Sequence, residues 1–94
     1  MIKNFYDKET GKLFVTGKSL RFPNSIIKVS LRKLDYLNSA VSLNDLKTPP
    51  GNKLEALIGN YKGKYSIRIN DQYRIIFSFE KSNAYDVEII DYHK

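Results

Sequence analysis

The chain has 94 residues, 41% of them hydrophobic and none of them cysteine, and its 16 lysines and arginines against ten aspartates and glutamates leave a formal charge of +6. That length predicts one compact domain over residues 1–94 with a small core, while the missing thiols exclude disulfide staples and thiolate metal sites and fit a reducing cytoplasm. No apolar run nears the roughly 20 residues of a membrane helix, and Lys3 and Asp7 fall where a secretion signal is apolar, so the expectation is a soluble, cytoplasmic protein that attracts polyanions.

Ile2 to Tyr6 has strand chemistry. Lys8 to Thr16 predicts a short helix that starts after Asp7, whose carboxylate can accept from free amides, and stops at Gly17. After Arg21-Phe22-Pro23, Asn24 or Ser25 is expected to cap a second helix, with Ile27, Leu31, Leu34, Leu37 and Val41 at helical spacing and Lys28, Arg32 and Lys33 largely facing water. Ser42 to Leu46 fits one further turn, and Pro49-Pro50-Gly51 then forbids helix, separating a helical half from a sheet half.

Beyond that break Tyr65 to Ile69 alternates, with Tyr65, Ile67 and Ile69 on one face and Ser66 and Arg68 on the other. Arg74 to Phe79 repeats the pattern with Ile75, Phe77 and Phe79 inward. Asn70-Asp71-Gln72 and Lys81-Ser82-Asn83 are turns by composition, and Tyr85 to Ile90 makes a third strand. An α+β fold follows: a C-terminal antiparallel meander backed by two N-terminal helices, with Ile2 to Tyr6 as its fourth strand.

The same alternation forces Arg68 and Arg74 together on the polar face, where like charges cost stability unless they stay hydrated or an anion bridges them. Guanidinium suits phosphate because it donates in pairs; the alternative is pairing with Asp86, Glu88 or Asp91 on the neighbouring strand. Asp91-Tyr92-His93 joins an acid, a phenol and the only imidazole of the chain, the one side chain whose unperturbed pKa, about 6.5, allows proton exchange near neutrality. The familiar zinc-protease, phosphate-loop and dinucleotide motifs are absent, one histidine without cysteine does not build an ordinary zinc site, and no metal or other cofactor is expected.

From Pro49 onward, PPGNKLEALIGNYKGKYSIRINDQYRIIFSFEKSNAYDVEIIDYHK resembles the C-terminal half of the HigB toxins within the RelE/ParE superfamily, through Lys53-Leu54-Glu55-Ala56-Leu57, Gly59 and Gly63, the Ser66 to Ile76 strand-turn-strand and the closing Asp91-Tyr92-His93. The opening Met1 to Phe5 is also similar to the family start. The resemblance implies a RelE-like fold, a small curved, mainly antiparallel sheet carrying two N-terminal helices. It further implies a ribosome-dependent interferase that cuts messenger RNA in the A site by 2′-hydroxyl attack, held inactive by a HigA-type helix-turn-helix antitoxin. The residues expected to carry the chemistry are Arg74 and Arg68 at the phosphate, His93 as acid or base, Glu55 as the opposite base, Tyr92 against a base or phosphate, and Asp91 orienting His93 or held by Arg74. Gln72, Lys53, Lys62 and Lys64 are expected to touch RNA. Several HigB toxins carry histidine where this chain has Glu55 and lysine where it has Ile58; a subgroup with "KLEAL" in place of "KLHPL" resembles it better.

Two other readings share this sequence. A ParE-like inhibitor of a protein target such as gyrase needs no acid–base residues, and Asp91-Tyr92-His93 argues against it. A non-catalytic RNA-binding domain draws on seven tyrosines as stacking surfaces.

Overall fold

A computed structural model describes residues 1–92. Helix α1 spans Lys8–Thr16; extended Asp7 accepts from the Thr10 amide through Oδ2 at 3.0 Å, and Gly17, in the left-handed region at φ 75°, closes the C-terminus with an amide bond to Leu13 O. Helix α2 spans Asn24–Ser39. Neither Asn24 nor Ser25 caps it: both lie inside the first turn, Pro23 occupies the cap position, and its carbonyl accepts from the Ile26 amide.

The buried face of α2 is Ile26, Ser30, Lys33, Leu34 and Leu37. Ile27 and Leu31 sit at its margin, half-buried, and Val41 lies past the helix end, 67% exposed. Lys33 therefore corrects the expectation that it faces water. It is 5% exposed, because the apolar stripe is rotated one residue toward it and Asn52 supplies an acceptor inside.

The chain leaves α2 through a 3-10 turn, Leu43–Lys47, closed by a capping box between Ser42 and Asp45. A second 3-10 turn, Pro50–Asn52, forms inside the expected break, because Pro50 stands at its first position, where no amide donor is needed. The sheet is antiparallel in the order β1 (Glu55–Ala56), β2 (Tyr65–Arg68), β3 (Tyr73–Glu80) and β4 (Asn83–Asp91). Its fourth strand is thus Glu55–Ala56. Ile2 to Tyr6 instead lies beside β4 through isolated parallel bridges, Ile2 to Ala84 and Phe5 to Val87, because Phe5 must turn inward onto the core while α1 begins three residues later.

Ile67, Ile75 and Ile89 pair across β2, β3 and β4 and point into the helices, where they meet Leu13, Ile26, Leu34, Leu37 and Phe77. Among the described residues no helix is long and apolar enough to cross a membrane. The opposite face carries Glu55, Ser66, Ile76 and Glu88 in one row, and Arg68, Arg74 and Ile90 in the next.

Three connections fix the register. In the β2–β3 turn, Asn70 Oδ1 accepts from the amides of Gln72 and Tyr73 at 2.8 and 2.7 Å. In the β3–β4 hairpin, Lys81 and Ser82 both have positive φ, 49° and 67°, the geometry of a two-residue primed turn. Further along β4, Asp86 and Val87 together face Phe77, a β-bulge in which Asp86 takes φ 51° and exchanges two hydrogen bonds with the Asn4 side chain.

Candidate functional site

Cross-strand register sets Arg68 directly opposite Arg74 on the outer face. Both line an open hollow of about 400 Å³ together with Lys53, Glu55, Asn70, Asp71 and Tyr92. Three cations against two carboxylates make it a place for an anion.

Arg74 is the ordered centre, its side chain only 12% exposed. Its Nη1 donates to Ser66 Oγ at 2.5 Å and to Glu55 Oε1 at 3.4 Å, and the guanidinium lies 5.5 Å from the Tyr92 ring centroid. Ser66 is fully buried, so the hydroxyl holding Arg74 is itself fixed. Arg68 is looser: its partner is the fully exposed Asp71 three residues on, a contact that water and salt weaken and an incoming phosphate can replace.

The carboxylates beside the arginines therefore come from β1 and the hairpin turn, and the expected partners Asp86, Glu88 and Asp91 on β4 do not pair with them. Asp86 bonds Asn4 in the bulge. Asp91 accepts from Gln72 Nε2 at 3.0 Å, so it does not anchor through Arg74. Glu88 shares the outer face, and burial pushes its pKa up against the opposing pull of Lys64.

Of the residues singled out in the sequence, Arg68, Arg74, Glu55, Lys53 and Tyr92 converge on the hollow. Gln72 and Asp91 pair with each other at its flank, and the Tyr92 amide donates to Gln72 O at 2.6 Å, fixing where Tyr92 leaves β4. Lys62 and Lys64 are not in its lining; Lys64 lies instead over the Tyr6 ring. His93, and with it the expected orientation by Asp91, lies outside the described residues.

Three contributors were not anticipated. Ser66 is marked only by sharing strand parity with Arg68, and Asp71 only by its place in the turn. The third, Lys33, gives no such sign. Its Nζ donates to Asn52 Oδ1 at 2.5 Å, while Asn52 Nδ2 donates to the carbonyls of Leu46 and Thr48, so one buried amide ties α2 to both 3-10 turns. Burial, then the nearby charges of Arg32 and Arg68, holds the Lys33 pKa below the ordinary lysine value. Lys53 follows Asn52 with φ 45° and turns the chain into the hollow.

Among the described residues no three histidine, cysteine or acidic side chains converge to ligate a metal. A hollow of about 450 Å³ at the end of α1, lined by Lys12, Thr16, Lys18, Ser19 and Leu20, brings no acid and base together.

Comparison with known proteins points the same way. A sequence model of HigB-like toxins, described as the RelE-like toxin of the type II toxin-antitoxin system HigB, matches residues 3–93. Toxin HigB-1 of Vibrio cholerae is 41% identical over 95 aligned positions, covering all of this chain and 99% of that protein. Endoribonuclease HigB of Proteus vulgaris is 30% identical over 93 positions, covering 99% of this chain and all of that one. Among solved structures, the YoeB–YefM toxin–antitoxin complex of Staphylococcus aureus superposes with a TM-score of 0.52 over 71% of this chain and 75% of that chain, at 25% identity.

Proposed function

The chain belongs to the HigB-like family of RelE-like toxins of type II toxin–antitoxin systems, and from that membership we propose that it is an endoribonuclease that cuts messenger RNA in the ribosomal A site. The observation that carries the reading is Arg74: a guanidinium braced by buried Ser66 and by Glu55, beside a second arginine, in a hollow open to solvent.

In the proposed reaction the 2′-hydroxyl loses its proton and attacks the adjacent phosphorus. The new O2′–P bond forms, the P–O5′ bond breaks, and the 5′-oxygen takes up a proton, leaving a 2′,3′-cyclic phosphate and a 5′-hydroxyl. Charge builds on the non-bridging oxygens in between, and fixed donors aimed there supply the largest share of the acceleration. Arg74 fills that role with Arg68 in support, and Lys53 steers the backbone. His93 is the acid or base, Glu55 its opposite, and Tyr92 positions the nucleotide. Asp91 acts on this scheme indirectly, through Gln72 and the path of the chain into Tyr92.

So few acid–base groups make dependence on the ribosome physically sensible, because a codon held splayed for in-line attack brings orientation that a small protein does not provide. A HigA-type antitoxin with a helix-turn-helix domain is the proposed cognate partner.

The test is cleavage of a message programmed into the A site of purified ribosomes. The unmutated protein cuts within the codon, while Arg74→Ala and His93→Ala each slow it at least 100-fold with unchanged circular dichroism. Wild-type rates in both folded variants would remove the assignment, and RNA binding without any cleavage would favour the non-catalytic domain.

A further inference from the structure

On the other side of Glu55 and Tyr92 from the arginines lies a second hollow of about 250 Å³, whose wall also includes Leu57, Ile58 and Tyr61. Its character changes at that boundary. The arginine side is charged, whereas here Leu57 forms a buried apolar floor, Ile58 stands 86% exposed at the rim, and two phenol rings make the walls.

The loop that carries Tyr61 is held in place. Gly59–Tyr61 is a 3-10 turn, the Lys64 amide donates to Tyr61 O at 2.9 Å, and the Leu57 amide donates to Lys64 O at 2.9 Å, so the β1–β2 connection is closed at both ends. Tyr92 is fixed from the opposite side by its amide bond to Gln72 and by Arg74 on its ring. An aromatic wall presented on constrained backbone loses little entropy when something flat is laid against it.

We propose that this hollow is a nucleobase subsite, in which Tyr61 and Tyr92 receive the base of the nucleotide next to the phosphate held by Arg74, with Ile58 closing the rim. The assignment rests on the endoribonuclease reading and adds the binding residues Tyr61 and Ile58 to it. Continuity of the two hollows is the argument. A ligand that fills both must join an anion to a flat, largely apolar ring over the short distance spanned by two shared side chains, and a nucleotide of single-stranded RNA is built that way. Stacking does not read hydrogen-bonding edges, so the subsite tolerates every base and favours purines for their larger face.

Single-turnover cleavage on programmed ribosomes decides it, using messages with one abasic nucleotide at each position of the A-site codon in turn. With the wild-type protein, an abasic nucleotide at one position slows cleavage about ten-fold. Tyr61→Ala slows cleavage of the normal message by a similar factor and is indifferent to the abasic nucleotide at that position; Tyr61→Phe restores both the rate and the abasic penalty. Ile58→Ser, on an exposed side chain that the fold does not need, gives a smaller loss with the same indifference. Wild-type rates for Tyr61→Ala, or an abasic penalty equal in wild type and variant, overturn the subsite while leaving the endoribonuclease in place. Failure of the wild-type protein to cut any programmed message removes both.

Discussion

Arg68 and Arg74 face each other across the β2–β3 hairpin, yet each is neutralised from a different direction, Arg68 by Asp71 in the turn and Arg74 by Glu55 on β1. The asymmetry separates their roles. Arg74 is nearly enclosed and doubly braced, which fixes where its donors point; Arg68 holds an exposed partner and can exchange it for a ligand. Removing Arg74 is therefore expected to lower the single-turnover rate by about 100- to 1,000-fold, and removing Arg68 to cost about ten-fold, mostly as weaker binding. Arg74→Lys keeps the charge but not the forked geometry and recovers only part of the loss. Equal losses for the two alanine variants in rate and in half-saturation would contradict the division.

Ser66 fixes Arg74 without itself reaching substrate, so Ser66→Ala should leave RNA affinity nearly unchanged and lower the rate several-fold. Stability falls by about 1.5–3 kcal/mol, from one lost hydrogen bond to a charged group in a buried place. Urea melts set beside the cleavage rates measure both effects.

Lys33 predicts a pH effect on stability. Its folded pKa lies below the ordinary lysine value, so between the two the unfolded chain holds a proton that the folded chain has released, and stability rises with pH across that window. Lys33→Met lacks the effect. The wild-type protein should gain stability relative to the variant as urea unfolding is followed from pH 7 to pH 10, and a constant difference would refute the burial of a charged amine there.

Glu88 behaves in the opposite sense. Its folded pKa is raised by burial above the ordinary carboxyl value of 4.5, so as pH climbs past that value the unfolded carboxyl ionises first and the folded state loses stability until its own group ionises. Glu88→Gln should melt at a higher temperature than wild type at pH 7, and the two should converge below about pH 4.

In the β3–β4 hairpin, Lys81 holds φ 49°, a conformation that costs an ordinary L-residue about 1 kcal/mol and asparagine much less. Lys81→Asn is expected to stabilise the protein by roughly that amount, read as a higher urea midpoint with an unchanged slope.

The hairpins were legible in the chain because isoleucine and phenylalanine alternate with polar residues and Asn70-Asp71 marks the turn, and the alternation alone put Arg68 beside Arg74. Asp7 and Gly17 marked α1 by equally local chemistry. What stayed hidden depends on contacts made across long sequence distances. Glu55 and Ala56 are two exposed residues with no period to detect, and they become a strand only because Ser66 and Tyr65 lie alongside. Lysine is ordinarily a surface residue, and only Asn52, 19 positions away, makes a buried Lys33 tolerable. Tyr61 belongs to a loop whose closure on Lys64 the sequence does not announce, so the aromatic hollow beside Tyr92 was out of reach.

Both borders of the sheet are blunted. On one side β1 offers only two residues of free backbone, and on the other the bridges at Ile2 and Phe5 occupy Ala84 and Val87 while the Thr10 hydroxyl of α1 takes the Ile89 amide. A protein whose margins give a second copy almost no ladder to extend resists edge-to-edge aggregation, so copies released from a partner should stay dispersed instead of polymerising.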